Sequence, residues 1–167
     1  ERRSYWYPTA RPLAPPAECT SNWYISVHPA TAIPPCNAHG EVKPPHAVRA
    51  QKRYVAALNC LYGEYDVKDY GNKDAIHAHI AASAWPTPSV VVDSGGGIHC
   101  YWMLSAAVDV TENTGNLISD EDIISVLKQL AGVLAGDPGV CDLARVMRLP
   151  GTHNTKNNEL RLCSLLP

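Results

Sequence analysis

Three consecutive glycines, Gly95–Gly97, stand between the runs "SVVVDS" (89–94) and "IHCYWMLS" (98–105). Glycine fills no core and gives up more backbone freedom on folding than any other residue. A triplet of them does not belong inside a helix or strand. With a β-type run on each side, the local solution is a hairpin that turns at the glycines. That hairpin commits the middle of the chain to antiparallel sheet, and the flanking segments must be arranged around it.

Before the hairpin, "LNCLYGEYDVKD" (58–69) reads as a strand. "KDAIHAHIAASA" (73–84) reads as a helix that stops at Trp85-Pro86-Thr87-Pro88. After it, "SDEDIISVLKQLAGVLAG" (119–136) reads as a helix with Ser119 as N-cap, acids in the first turn and Gly136 closing it. "ELRLCSLL" (159–166) supplies a last strand. From residue 58 the order is β-α-β-β-α-β, which predicts an α+β fold with a ferredoxin-like or RRM-like palm over 58–167. Residues 1–57 form an N-terminal α/β extension. It comprises a Pro-rich arm with Tyr5-Trp6-Tyr7, a strand in "NWYISVHP" (22–29), a proline-broken loop (30–46) and a helical pattern over 46–58. In that pattern Val48, Tyr54, Val55 and Leu58 are the expected buried positions. The 167 residues suffice for one compact domain with its own core. Beginning at Glu1 and not at Met, the sequence reads as an excised domain.

Bulk properties narrow the function classes. The net charge is −2, so the chain lacks the basic footprint of a stand-alone nucleic-acid binder. Any such contact must be local or assisted by another domain. No apolar run approaches the ~20 residues of a membrane span. The N-terminus also lacks the apolar core of a secretory signal, so a cytoplasmic protein without membrane contact is expected. The six cysteines are widely spaced, and Cys60, Cys100 and Cys163 are expected to pack as free thiols in apolar strands. Cys19, His28, Cys36 and His39 are the one group that zinc could gather. Their spacing matches no common finger, so ordinary buried or loop positions are expected, not a structural zinc.

Three groups of residues carry chemistry. Glu64 and Asp66 lie two apart on a predicted strand, so both carboxylates share a face. Like charges so close repel, and a divalent cation resolves the conflict. Ser94 and the three glycines offer successive backbone amides as an anion nest, with His99 as a neighbouring donor. In "GDPGVCDLARVMRLPGTHNTK" (136–156), Asp137 follows a helix end, and Arg145 and Arg148 are fork-shaped phosphate donors. Thr152, His153, Asn154 and Lys156 then crowd one turn. Asp142 is a second acid near the arginines, placed either to replace Asp137 or to orient Arg145. An acid pair, a glycine nest with a histidine, and an acid with two arginines suit a metal-bound nucleoside triphosphate.

Those motifs, spread over about residues 58 to 156, resemble the catalytic core of the archaeo-eukaryotic primase superfamily, especially phage and plasmid primase-polymerases. Glu64-Tyr65-Asp66 matches the family's acid pair, with Glu in place of the commoner first Asp. "SGGGIH" matches a glycine-expanded Ser-x-His motif, and Asp137 with "RVMRLPGTHN" matches the third. The resemblance implies that Glu64, Asp66 and Asp137 are catalytic and hold two Mg²⁺ or Mn²⁺ ions, with Asp142 as the alternative third ligand. It implies that Ser94, Gly96, His99, Arg145, Arg148 and Asn154 bind the nucleotide. The implied activity is template-dependent nucleotidyl transfer, as DNA primase or polymerase. Implied partners are nucleoside triphosphates, a single-stranded DNA template and primer, and a helical priming domain or helicase beyond this chain.

Two rivals share the topology. A replication-initiating nicking endonuclease needs a His-hydrophobic-His pair on a strand. His77 and His79 supply the residues, but in an Ala-rich helical run where i and i+2 point apart. A non-catalytic RRM-type module would use Tyr101 and Trp102 against single strands, yet the RNP aromatic signature is missing.

Overall fold

The computed structural model describes residues 22–30, 41, 52–110 and 119–167. The strands are β1 (Tyr24–Ser26), β2 (Ala57–Asp66), β3 (Val90–Asp93), β4 (Gly97–Asp109), β5 (Val146–Arg148), β6 (His153–Asn154), β7 (Arg161–Leu162) and β8 (Ser164–Leu166). The helices are α1 (Val67–Tyr70), α2 (Lys73–Ala82) and α3 (Asp120–Val133). Strands β2, β4, β3 and β8 form a four-stranded antiparallel sheet in that order, and β1–β5 and β6–β7 are two-stranded ribbons.

The hairpin forms where the glycines require it. β3 and β4 pair from Val90↔Tyr101 to Asp93↔Ile98, and the Ser94 amide closes the turn on Gly97 O at 2.9 Å. Asp93 ties the turn to its surroundings, accepting from the Gly95 amide at 2.8 Å and from Lys73 of α2 at 2.6 Å.

The order of strands departs from the ferredoxin-like expectation. β4 inserts between β2 and β3, as that topology demands, but the final strand β8 pairs with β3, at Val91↔Leu166 to Asp93↔Ser164. A ferredoxin-like palm would place it beside β2. The segment 159–166 is also not one strand. It breaks at Cys163, whose amide bonds Thr152 O at 2.8 Å, so β7 joins β6 and β8 joins the main sheet. The chain is mixed α+β with antiparallel sheets. Pairing partners across more than sixty residues are set by packing, which strand periodicity does not report.

The helical pattern expected over 46–58 is corrected in its described part. Residues Lys52–Tyr54 make a single 3-10 turn and β2 begins at Ala57. Tyr54, Val55 and Leu58 are buried as expected, but they belong to a turn and a strand, and Val55 makes a bridge to Ala30. Val48 lies outside the described residues, as do Tyr5-Trp6-Tyr7, Cys19, Cys36 and His39. β1 pairs with β5 from Tyr24↔Arg148 to Ser26↔Val146, which ties residues 22–30 to the arginine segment.

Two apolar clusters hold the sheet. Tyr65, Ile98, Cys100 and Trp102 pack with Ile76 of α2 and with Leu130 and Leu134. Leu58 and Tyr62 pack with Ile123 and Leu127 of α3 and with Val140, Leu143 and Met147. α3 thus buries Ile123, Leu127, Leu130 and Ala131, a stripe at helical spacing. Its start is a reciprocal capping box between Ser119 and Asp122. Ser119→Ala is expected to cost about 1 kcal/mol, read as a thermal midpoint lower by about 2–4 °C. An unchanged midpoint would remove the cap from the stability argument. The helix ends at Val133, three residues before the Gly136 that the sequence suggests. Ala135, at φ 50°, takes the left-handed position, and Gly136 instead sits against Glu64 O and the Tyr65 ring.

Cys60, Cys100 and Cys163 are buried free thiols, and desolvation pushes Cys100 up to about 12. His28 is 2 % exposed, with Nδ1 3.1 Å from Asn59 Oδ1 and its ring tilted against Tyr62. Burial is the main cause that lowers its pKa below the ordinary 6.5. The unfolded chain therefore binds more protons than the folded one between the folded pKa and 6.5, and stability rises with pH across that window. The urea midpoint is expected to climb as the pH rises toward the ordinary imidazole value of about 6.5, and to climb less in His28→Gln. Equal slopes would show that His28 does not carry the linkage.

Candidate active site

β2 delivers two acids to one side of the sheet. Tyr62, Glu64 and Asp66 alternate with Leu61 and Tyr65, and Tyr65 is buried among Ile76, Leu130 and Leu134. Glu64 pairs in register with His99, and Asp66 with Gly97. The third acid arrives from the far end of α3. The Asp137 amide donates to Glu64 O at 2.9 Å, so the backbone itself staples the turn carrying Asp137 to β2. Glu64, Asp66 and Asp137 line one cleft of about 310 Å³ together with Lys68, Asp69 and Tyr70.

Within that cleft each carboxylate has its own partner. Glu64 Oε1 lies 3.7 Å from His99 Nε2, a Coulombic contact and longer than a hydrogen bond. The imidazole is the main cause that holds Glu64 below its ordinary carboxylate range, against its own burial and the charge of Asp137, with Arg145 helping. Asp66 caps α1 by position, but its side chain makes no capping bond. It pairs with Lys68 Nζ at 3.1 Å, which also lies 3.8 Å from Asp69. Asp137 Oδ1 accepts from the Gly139 amide at 2.7 Å. Among the described residues no three His, Cys, Asp or Glu side chains already converge at metal-binding distance. The donor set itself is all carboxylate oxygen, which fits Mg²⁺ or Mn²⁺.

The remaining sequence-selected residues divide. His99 is 2 % exposed and sits beside Glu64, with Nδ1 unpartnered among the described residues. The glycine turn is only partly available as a nest. The Ser94 amide is taken by Gly97 O and the Gly95 amide by Asp93, while Ser94 Oγ bonds Gly97 O at 3.0 Å. Two of the glycines have packing reasons. A Cβ on Gly97 would lie 2.1 Å from Tyr65 O, and Gly95, at φ 79°, would meet Arg161 Cβ at 2.9 Å. Gly96 carries no such conflict, its nearest neighbour being Asn154 Nδ2 at 3.5 Å. Asn154 is buried and donates to Ser94 O at 2.9 Å, so it props the turn from β6.

Arg148 stacks its guanidinium 5.0 Å from the Tyr24 ring and donates to Asn22 Oδ1. Arg145 and Asp142 form an ion pair. Asp142 is therefore the arginine's partner and does not line the cleft. Asp69 was passed over in the sequence. In the sequence 58–69 reads as one strand, whereas α1 begins at Val67 and returns residue 69 to the side of Asp66. His77 and His79 lie on α2, and His79 Nε2 is 2.9 Å from Leu134 O.

The fold and the cleft together define a mixed α+β domain with an acidic groove at the end of β2. No family model and no curated protein matches the chain. Among solved structures it is similar to the AEP domain of the primase-polymerase (PrimPol) of cyanophage S-2L, with 22% identity and a TM-score of 0.54. The match covers 71% of this chain and 56% of that one, so the chain spans little more than half of that domain's length. At this identity the likeness is one of fold.

Proposed function

We propose that this chain is the catalytic core of a primase-polymerase of the archaeo-eukaryotic type, transferring nucleotides to a template-directed 3′ end. The observation that carries the reading is the meeting of Glu64, Asp66 and Asp137, separated by up to seventy-three positions, in one cleft. The fold shared with a phage primase-polymerase domain supports it.

Glu64, Asp66 and Asp137 would hold two Mg²⁺ or Mn²⁺ ions. Bound there, the ions would lower the pKa of an attacking 3′-hydroxyl and stabilise charge as pyrophosphate is displaced. The chain's own residues do the rest by positioning. His99 lies beside Glu64 and stands as a triphosphate donor, as do Gly96 and Arg148. Ser94 and Asn154 shape the glycine turn that carries Gly96. The substrates are nucleoside triphosphates with a single-stranded DNA template and primer, and a helical priming domain or helicase completes priming.

The rivals lose their residues. The histidine pair of a nicking endonuclease is on a helix, with His79 against Leu134 O. The base-stacking platform of an RRM module would need Trp102, which is 7 % exposed and donates to Pro86 O at 2.7 Å. The test is incubation with single-stranded template, primer, Mn²⁺ and each nucleotide set, with Asp66→Ala as control. Extension by the parent chain alone supports the reading, and extension by neither or by both overturns it.

A further inference from the structure

We propose that Tyr62 and Arg145 act as a brace that sets the position of Asp137, so that Arg145 serves the cation site and not the triphosphate. The inference rests on the reading of Asp137 as a metal ligand. Asp137 stands at the mouth of a short turn, Pro138–Val140, that has no regular element of its own to hold it. Three anchors replace one. The first is the amide of Asp137 on Glu64 O.

The second is the Tyr62 hydroxyl. It lies 3.0 Å from Val140 O, in contact with Asp142 O, and accepts from the Asp142 amide at 3.3 Å. The ring is 3 % exposed and packs with Val140, Leu143 and Met147. Tyr62 also sits two residues before Glu64 on the same side of β2. The strand that presents Glu64 and Asp66 thereby fixes the turn that presents Asp137.

The third anchor is Arg145. Its Nη2 donates to Gly139 O at 2.7 Å and to the Asp142 carboxylate, and its Nε donates to Val140 O at 3.2 Å. A guanidinium has five N–H donors in a fixed fork, and three of them are spent on residues 139–142. Lysine, a point charge on a flexible stem, reproduces the charge but not the fork. Outer groups that hold ligands in place commonly govern metal affinity by about 10–100-fold. Tyr62 and Arg145 are positioning residues in this sense.

The experiment is direct Mn²⁺ binding to the chain without nucleotide, by electron paramagnetic resonance, for the parent, Tyr62→Phe, Arg145→Lys and Asp137→Ala. Nucleotide KM and kcat are then measured at saturating Mn²⁺. Arg145→Lys is expected to weaken Mn²⁺ binding about tenfold and Tyr62→Phe about fivefold, with KM for nucleotide unchanged. In an Asp137→Ala background neither substitution should weaken binding further. If Arg145→Lys raises nucleotide KM and leaves Mn²⁺ affinity alone, the arginine is a triphosphate ligand and the brace is wrong. If Asp137→Ala binds Mn²⁺ like the parent, the metal reading of that residue fails first. Circular dichroism of each variant separates these outcomes from unfolding, and Tyr62→Phe keeps the buried ring so that the hydroxyl alone is tested.

Discussion

Asp66→Ala is expected to abolish nucleotide incorporation while the protein stays folded. Ligation of catalytic ions supplies several kcal/mol of transition-state stabilisation, and each 1.36 kcal/mol is tenfold in rate. A loss of about 10³-fold or more should follow. The cost to folding is small for a physical reason. The Asp66 side chain makes no capping bond to α1 and pairs with Lys68, whose side chain is 69 % exposed. Such exposed pairs are screened by solvent and contribute little to stability. A thermal midpoint within about 4 °C of the parent, with no detectable extension product, is the expected pair of results. Retained extension would show that the cleft is not the catalytic centre. A collapsed midpoint would show that Asp66 is structural.

Gly97→Ala is expected to do the reverse and damage the fold itself. A Cβ there would lie 2.1 Å from Tyr65 O and 3.0 Å from Asp66 Cα. These are backbone atoms of β2, which cannot swing aside as a side-chain tip can. Relief requires β4 to part from β2 at the pairs that bring His99 to Glu64 and Gly97 to Asp66. Overpacking of this kind costs about 3 kcal/mol or more, which is a fall of about 6–12 °C in the midpoint. Gly132→Ala is the control, since nothing lies within 4 Å of the added Cβ on α3. There the midpoint should rise slightly, because alanine is the better helix former by about 1 kcal/mol. If Gly97→Ala matches that control, the close strand approach is not real.

Much of the site was legible one element at a time. Strand alternation put Glu64 and Asp66 on one face, and a lone acid after a helix marked Asp137. The capping preference identified Ser119, and the structure adds Asp122 as its reciprocal partner. Other features have packing causes in remote segments that the sequence does not show. Two of the three glycines have reasons of their own, Gly97 in the backbone of β2 and Gly95 in its φ and in Arg161, and Gly96 has none. Arg145 looked like a phosphate donor, yet its fork closes on residues 139–142. Helical spacing misled over the described residues 52–58, because Tyr54, Val55 and Leu58 are buried for reasons that a turn and a strand satisfy equally well.

By itself the sequence determined the hairpin, the identity of α2 and α3, and the face of β2 that carries Glu64 and Asp66. Those follow from local rules, namely side-chain period, capping and the conformational range of glycine. Only the tertiary structure decided that β8 lies beside β3, that Asp137 and not Asp142 reaches the acids of β2, and which glycines are packed against backbone. Each of those depends on contacts between segments tens of residues apart. Their geometry is set by what the two apolar clusters can bury together, which no local pattern records.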